Sequence, residues 1–396
     1  MTPMRVLAGI VGVLGLLGTL SSVLRTLIVP RGAPSHLVDG IWLALRTTLR
    51  AATRVLRTYE ARDRALAWLA PLMLVSTLAA WIASLLVSYG LLMYAVSGLG
   101  LVSAFREAGS SLFTLGFASG DRTHLQLLDF CAAASGPVVV ALLVSYLPTL
   151  YSAYNRRETE VTLLQSRAGE PAWGPELLAR QGLAATTATL PQLYEGWERL
   201  AADIGESHAN YPVLLAFRSP NPYRSWIVAL ITVTDAAALH LALCPATAPP
   251  QARLLLRMSF TALRDIARVV HIPHDADPRP EAEVAVSYAE FAEAVDVMRT
   301  AGFPMERTAE QAWPHFRGWR VNYESIAYEL ARRIDAVPAL WTGPRDSGHE
   351  PIPPRRPPHR GPQRPEAPGR TAPEAPGRTA PEADKTEVQP DTRPER

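Results

Sequence analysis

Ser110-Ser111-Leu112-Phe113-Thr114-Leu115-Gly116-Phe117-Ala118 sits between two long apolar stretches, Leu66 to Tyr94 and Leu125 to Tyr151. As a helix the first would be roughly 43 Å long, so it must tilt or run past the surface of a hydrocarbon layer about 30 Å thick. The second is of similar length and is interrupted by Gly136-Pro137 and by Pro148. About thirty residues separate the two, room for a short helix and an extended return but too few for a folded domain. A third apolar run, Val6 to Leu24, is nineteen residues without a charge and also qualifies as a span. The pattern predicts an all-α membrane protein: three transmembrane helices, a short helix dipping between the second and third, and a soluble helical region beyond them.

Composition narrows the alternatives. The chain has 396 residues and a formal net charge of +2, with its apolar content concentrated in the first 150 positions. Two cysteines, Cys131 and Cys244, give no disulfide framework. No phosphate-binding glycine loop, nucleophile elbow or zinc motif occurs, so neither an enzyme nor a nucleic-acid partner is expected. Glu206 with His208, and His271 with His274, Asp275 and Asp277, have spacings a metal could use, but no second cluster completes four ligands. The preferred reading of His271-Ile272-Pro273-His274 is a turn after a helix. A cleaved signal peptide competes for Val6 to Leu24, because Arg5 gives it a basic start, yet no Ala-x-Ala site follows. Within that run Gly9, Gly12, Gly15 and Gly18 would let another helix approach closely.

Orientation follows from arginine placement. Arg25, Arg31, Arg46, Arg50, Arg54, Arg57, Arg62 and Arg64 lie between the first and second spans, and Arg156-Arg157 follows the third. The loop between Tyr94 and Leu125 has only Arg106 and Arg122, offset by Glu107 and Asp121. The amino terminus and this loop are therefore expected outside the cell membrane and the carboxyl-terminal region in the cytoplasm. Residues 37 to 59 read as one helix with Val38, Ile41, Trp42, Leu45, Leu49, Leu56 and Tyr59 on one arc and Arg46, Arg50, Arg54 and Arg57 on another. An interfacial helix with its guanidinium groups toward anionic lipid headgroups is the preferred reading. A voltage sensor is the sharper alternative, but its flanks are too polar and its companion helices are missing.

The order of span, short helix, Thr114-Leu115-Gly116-Phe117 and second span resembles the pore module of the bacterial pore-loop potassium channel family. The resemblance implies a pore helix over about Val102 to Phe113 and a filter made by Thr114, Leu115, Gly116, Phe117 and Ala118. In it, backbone carbonyls would replace the water around potassium, the expected permeant ion, and no other cofactor is implied. Each chain supplies one loop, so the implied assembly is a homotetramer. Gly116 would meet the need for positive φ in such a strand. Ala118 departs from the family's glycine, and alanine in a left-handed conformation is disfavoured by about 1 kcal/mol. Arg106, Glu107 and Asp121 are candidates to brace the filter from behind. Gly136, Pro137 and Pro148 are candidates for a gate or hinge, beside the alternative of a static packing kink.

From Tyr151 to about Trp341 the chain reads as a soluble helical bundle with a partner or ligand unspecified. Arg253 to Val270, Tyr288 to Thr300 and Thr308 to Ile334 have helical periodicity; Ser287 with Glu290 is a capping-box signature, and Pro314 is expected to divide the last segment. Trp226 to Cys244 is apolar apart from Asp235 and His240. A central aspartate costs about 2.5 to 3.5 kcal/mol on insertion scales, so a buried bundle helix is preferred to a fourth span. After Pro344 the chain is rich in Pro, Arg and Glu, with the unit at Pro365 to Ala372 repeated at Pro373 to Ala380. Too few apolar side chains remain there to offset chain entropy, and a disordered tail is expected. The expected boundaries are 1–30, 31–64, 65–155, 156–343 and 344–396. A non-conducting membrane scaffold or receptor, with a partner-binding bundle, is the alternative function.

Overall fold

A computed structural model of the chain describes residues 2–29, 35–118, 123–343 and 350–355. These are mostly helical and contain no strand. The first half comprises α1 (Pro3–Leu27), α2 (His36–Thr53), α3 (Tyr59–Leu66), α4 (Leu69–Ser97), α5 (Leu101–Leu112) and α6 (Thr123–Ala168). The second comprises α7 (Gly174–Leu183), α8 (Leu190–Asn210), α9 (Trp226–Leu243), α10 (Pro250–Val269), α11 (Tyr288–Thr300), α12 (Ala309–Arg320) and α13 (Glu324–Arg333). Among the described residues, four helical stretches have the length and hydropathy of membrane spans, in α1, α4, α6 and α9.

Small residues decide how the first half packs. A Cβ on Gly12 would lie 2.8 Å from the Ser88 carbonyl of α4, and one on Gly15 would lie 2.5 Å from Ser88 Oγ, so α1 closes on α4 at backbone distance. Gly18 has open space and takes no part. Trp81 of α4 donates its indole N–H to Ser22 Oγ at 2.9 Å, which leaves no orphaned donor where a large ring is fully buried. Gly90 seats the Phe105 ring of α5, with ring atoms 2.8 to 2.9 Å from where a Cβ would be. Gly98, at φ +80°, ends α4.

Two expectations for the basic segment are corrected. Residues 37 to 59 do not form one helix: α2 ends at Thr53, and Thr58 starts α3 by accepting the Ala61 N–H at 3.3 Å. Nor do all four arginines face away from the protein. Arg46 Nε donates to the Arg333 carbonyl at 3.1 Å, and Arg50 Nε pairs with Asp335 at 2.5 Å, because the end of α13 presents unsatisfied carbonyls and a carboxylate to them. Arg54 and Arg57 remain exposed.

The second half packs around α9, in which every residue but Leu241 is buried, with α6, α7, α8, α10, α12 and α13 against it. Asp235 is fully buried there and accepts from Arg320 Nη1 at 2.5 Å and Tyr323 Oη at 2.6 Å. Arg320 also donates to Glu324 Oε1 and to the Trp341 carbonyl. An ion pair inside an otherwise apolar helix thus has its partners supplied by the helices packed on it. The Ser287–Glu290 capping box forms as expected, and Thr308 with Gln311 makes a second. Pro314 does not divide its helix: α12 runs through it, and the break falls at Val321–Tyr323. His271, at φ +54°, and the Ile272 N–H bonded to the Ala267 carbonyl make the expected turn after α10. Within the tail, residues 350–355 lie against the bundle and Ile352 packs on its core, because Ile352 is an apolar side chain in an otherwise Pro-rich stretch. Residues 344–349 and 356–396 lie outside the described residues.

Candidate functional site

The loop Phe113 to Ala118 is positioned by α5, which packs between α4 and α6. Its carbonyl end closes in a Schellman motif: the Thr114 N–H donates to the Ser111 carbonyl at 2.9 Å and the Leu115 N–H to the Ser110 carbonyl at 2.7 Å. That motif requires a left-handed residue at Thr114, whose φ is +54°. Gly116 follows at φ +72°, as the sequence predicts for that position. The left-handed non-glycine residue of the loop is Thr114, and Ala118 is not among the residues of positive φ. The helix end dictates this, because its cap fixes the first loop residue whatever follows it. Among the described residues, no backbone N–H donates to the carbonyls of Thr114, Leu115, Gly116 or Phe117.

Two serines secure the loop. Ser110 Oγ accepts the Ala118 N–H at 3.0 Å, which draws the end of the loop back onto α5. Ser111 Oγ donates to Asp129 Oδ1 of α6 at 2.5 Å. Spacing alone assigns no role to either serine or to Asp129. The available signal was Asp129 itself, a carboxylate inside an apolar stretch. Of the expected braces, Arg106 acts on the loop by another means: its guanidinium lies 5.4 Å from the Phe117 ring centroid, a cation–π contact in place of a hydrogen bond. Glu107 is buried on α5. Asp121 lies outside the described residues, as do Ser119, Gly120 and Arg122.

Gly136 of α6 meets α5 at the same point. A Cβ there would lie 2.3 Å from the Leu112 carbonyl oxygen, so only glycine lets α6 pass this close to the end of α5. Tyr89 of α4 and Ser135 of α6 share a hydrogen bond of 2.7 Å beside it. α6 is one helix through Pro137 and Pro148, both of which are exposed. Its buried stripe runs Leu125, Asp129, Ala132, Gly136, Val139, Leu143, Tyr146, Leu150 and Ala153, and the opposite face exposes Leu127, Phe130, Val138 and Val144. Phe113, Leu115 and Phe117 are exposed as well, at 51%, 62% and 55%.

The far end of α6 is clamped to the bundle. Arg157, fully buried, donates to the carbonyls of Leu214 at 3.0 Å and Phe217 at 2.9 Å, to His208 Nε2 at 2.8 Å and to Glu158. A guanidinium can only donate, so Nε2 accepts and the neutral imidazole keeps its proton on Nδ1, 3.0 Å from Ser207 Oγ. Burial, and then the neighbouring Arg157 charge, hold His208 well below the ordinary histidine range. His208 is therefore a structural partner of α6 and not a member of a metal site. No group of three or more His, Cys, Asp or Glu side chains among the described residues is arranged to hold a metal ion.

A second junction gathers α2, α3 and α13. Asp335, left-handed at φ +51° just past α13, pairs with Arg50 at 2.5 Å and Arg62 at 3.2 Å. Arg218 donates to the Asp335 carbonyl at 2.8 Å, to the Ile334 carbonyl and to Asp63 Oδ1 at 2.6 Å. No family model matches the chain, and neither a curated protein nor a solved structure matches it.

Proposed function

We propose that the chain is one subunit of a homotetrameric pore-loop cation channel conducting potassium, with α7 to α13 as a cytoplasmic unit that regulates it. The observation that carries this reading is the carbonyl end of α5 aimed into a loop with Thr114 and Gly116 left-handed and four carbonyls free of backbone partners among the described residues. A helix carboxyl end favours a cation, and carbonyl oxygens are the ligands that replace its water. The exposed apolar side chains of Phe113, Leu115 and Phe117, and the exposed face of α6, supply surface that neighbouring subunits would cover.

In this reading α1, α4 and α6 span the cell membrane, with the amino terminus outside. α9 belongs to the bundle core, since its apolar surface is already enclosed by protein and its aspartate is paired. Arg54 and Arg57 remain for anionic lipid headgroups. Gly136 is the site where α6 packs closely on the end of α5, and Pro137 and Pro148, both exposed, are the hinge candidates.

Rubidium flux into liposomes tests the reading. Wild-type tetramers are expected to conduct and Gly116→Asp tetramers to be silent. Equal flux from both, or none from well-folded wild-type tetramers, removes the channel in favour of a non-conducting scaffold.

A further inference from the structure

Residues 350–355, Glu-Pro-Ile-Pro-Pro-Arg, lie as an extended segment across the end of α6 and the edge of the bundle. Between 351 and 355 only Ile352 and Arg355 have a backbone N–H, since proline has none. Both are bonded: Ile352 N–H donates to the Pro338 carbonyl at 2.7 Å and Arg355 N–H to the Glu170 carbonyl at 2.9 Å. Ile352 and Pro354 are half-buried while Pro351, Pro353 and Arg355 are exposed, the two-residue alternation of an extended chain lying on a surface. Beneath them Gly169 ends α6 at φ +79°, where a Cβ would come 2.7 Å from Pro354 Cβ.

The arginine is received as specifically as the prolines. Its guanidinium lies 4.1 Å from the Tyr223 ring centroid, and Nη2 donates to Tyr223 Oη at 3.0 Å. Tyr223 Oη donates in turn to Glu60 of α3. That bond first, and the Arg355 charge less strongly, hold the Glu60 carboxyl below the usual range. Aromatic-lined grooves are the means by which proteins read proline-rich peptides, whose extended form loses little entropy on binding; here Tyr223 supplies the ring, Gly169 the floor and the Pro338 and Glu170 carbonyls the backbone acceptors.

We propose that Gly169, Glu170, Tyr223 and Pro338 form a docking site for an extended proline–arginine peptide, that residues 350–355 of this chain are its occupant, and that docking ties the end of α6 to α3. The docking itself is independent of conduction. Its consequence for gating, a restraint on the inner end of the pore-lining helix, rests on the channel reading.

Hydrogen exchange read by mass spectrometry on the full-length chain tests the site, because a peptide covering 351–355 reports only the Ile352 and Arg355 amides. In the wild type both are expected to be protected. Arg355→Ala, which removes an exposed side chain and leaves the core intact, is expected to speed their exchange about tenfold and to raise exchange at α3. Gly169→Val, which fills the floor, is expected to abolish the protection. Exchange at the free-peptide rate in the wild type, or unchanged protection in both variants, overturns the proposal. Rubidium flux through Arg355→Ala then reads the consequence: altered flux supports a restraint on α6, unaltered flux removes that clause, and absent flux in every form removes the channel reading while the exchange result stands.

Discussion

Two glycines on apolar helices look alike in the sequence and differ in what surrounds them. Gly136 has the Leu112 carbonyl 2.3 Å from its missing Cβ, and Gly18 has nothing within 4 Å. Gly136→Ala is therefore expected to destabilise the chain by about 1 to 3 kcal/mol. Gly18→Ala is expected to be neutral or to stabilise by up to about 1 kcal/mol through helix propensity. Thermal unfolding in detergent checks the pair, and equal shifts would sink the assignment of a close approach at Gly136. The residue scale also marks where the sequence stops being legible. Thr114, Gly116 and the short helix before them can be read from order and spacing, and Gly116 takes the backbone conformation its type suggests. That the strained non-glycine position is Thr114 and not Ala118 depends on how α5 ends, which the motif does not encode. The serine contacts to Ala118 and Asp129 bridge 8 and 18 positions and are products of packing.

Among the elements, α6 carries one buried arginine network through Arg157, and α9 meets the other by pairing its Asp235 with Arg320 of α12. His208 against α6 is buried neutral, with its folded pKa below the unfolded value of about 6.5. Below that value the unfolded chain takes up a proton that the folded chain refuses, so this contribution to stability is complete above about pH 6.5 and is lost as pH falls from there toward the folded pKa. Unfolding midpoints measured between pH 7.5 and 5 are expected to decline, with the decline reduced in His208→Gln. A pH profile unchanged by that substitution would remove His208 as its source. In α9 the pair Asp235–Arg320 is fully buried. Asp235→Ala leaves a buried guanidinium short of its carboxylate and is expected to cost about 3 to 5 kcal/mol, whereas Asp235→Leu with Arg320→Leu should recover much of the loss. Denaturant titration separates the two cases. Hydropathy alone reads α9 as a span. In the sequence the position of Asp235 argues for the bundle, as does the fact that a fourth span would move the remaining chain outside, but the partners of Asp235, 85 and 88 residues away, lie beyond the reach of periodicity. The ends of helices were more accessible where a local signal exists: the Ser287–Glu290 cap was legible, while the break between α2 and α3 and the continuity through Pro314 were not.

For the molecule as a whole, the junction at Asp335 joins the basic helices to the last helix of the bundle. Arg50 and Arg62 each reach it across more than 270 residues, beyond any sequence pattern, which is why the arginines of α2 read as a lipid-facing row. A double-mutant cycle on Arg50→Ala and Asp335→Ala is expected to give a coupling of about 1 kcal/mol, since both side chains keep some contact with water, at 24% and 18% exposure. A coupling of zero would mean that the contact does not fasten α2 to α13. That partial wetting distinguishes this junction from the dry networks of Arg157 and Arg320, and it makes ionic strength a selective reagent. At about 0.15 M salt the screening length is about 8 Å, and raising the concentration weakens charges in contact with solvent far more than those sealed from it. Concentrated salt should thus loosen α2 from α13 while α3, held by the drier Arg218–Asp63 pair at 12% and 9% exposure, and the α8 and α9 networks keep their order, so that the protein comes apart first along its electrolyte-sensitive seam.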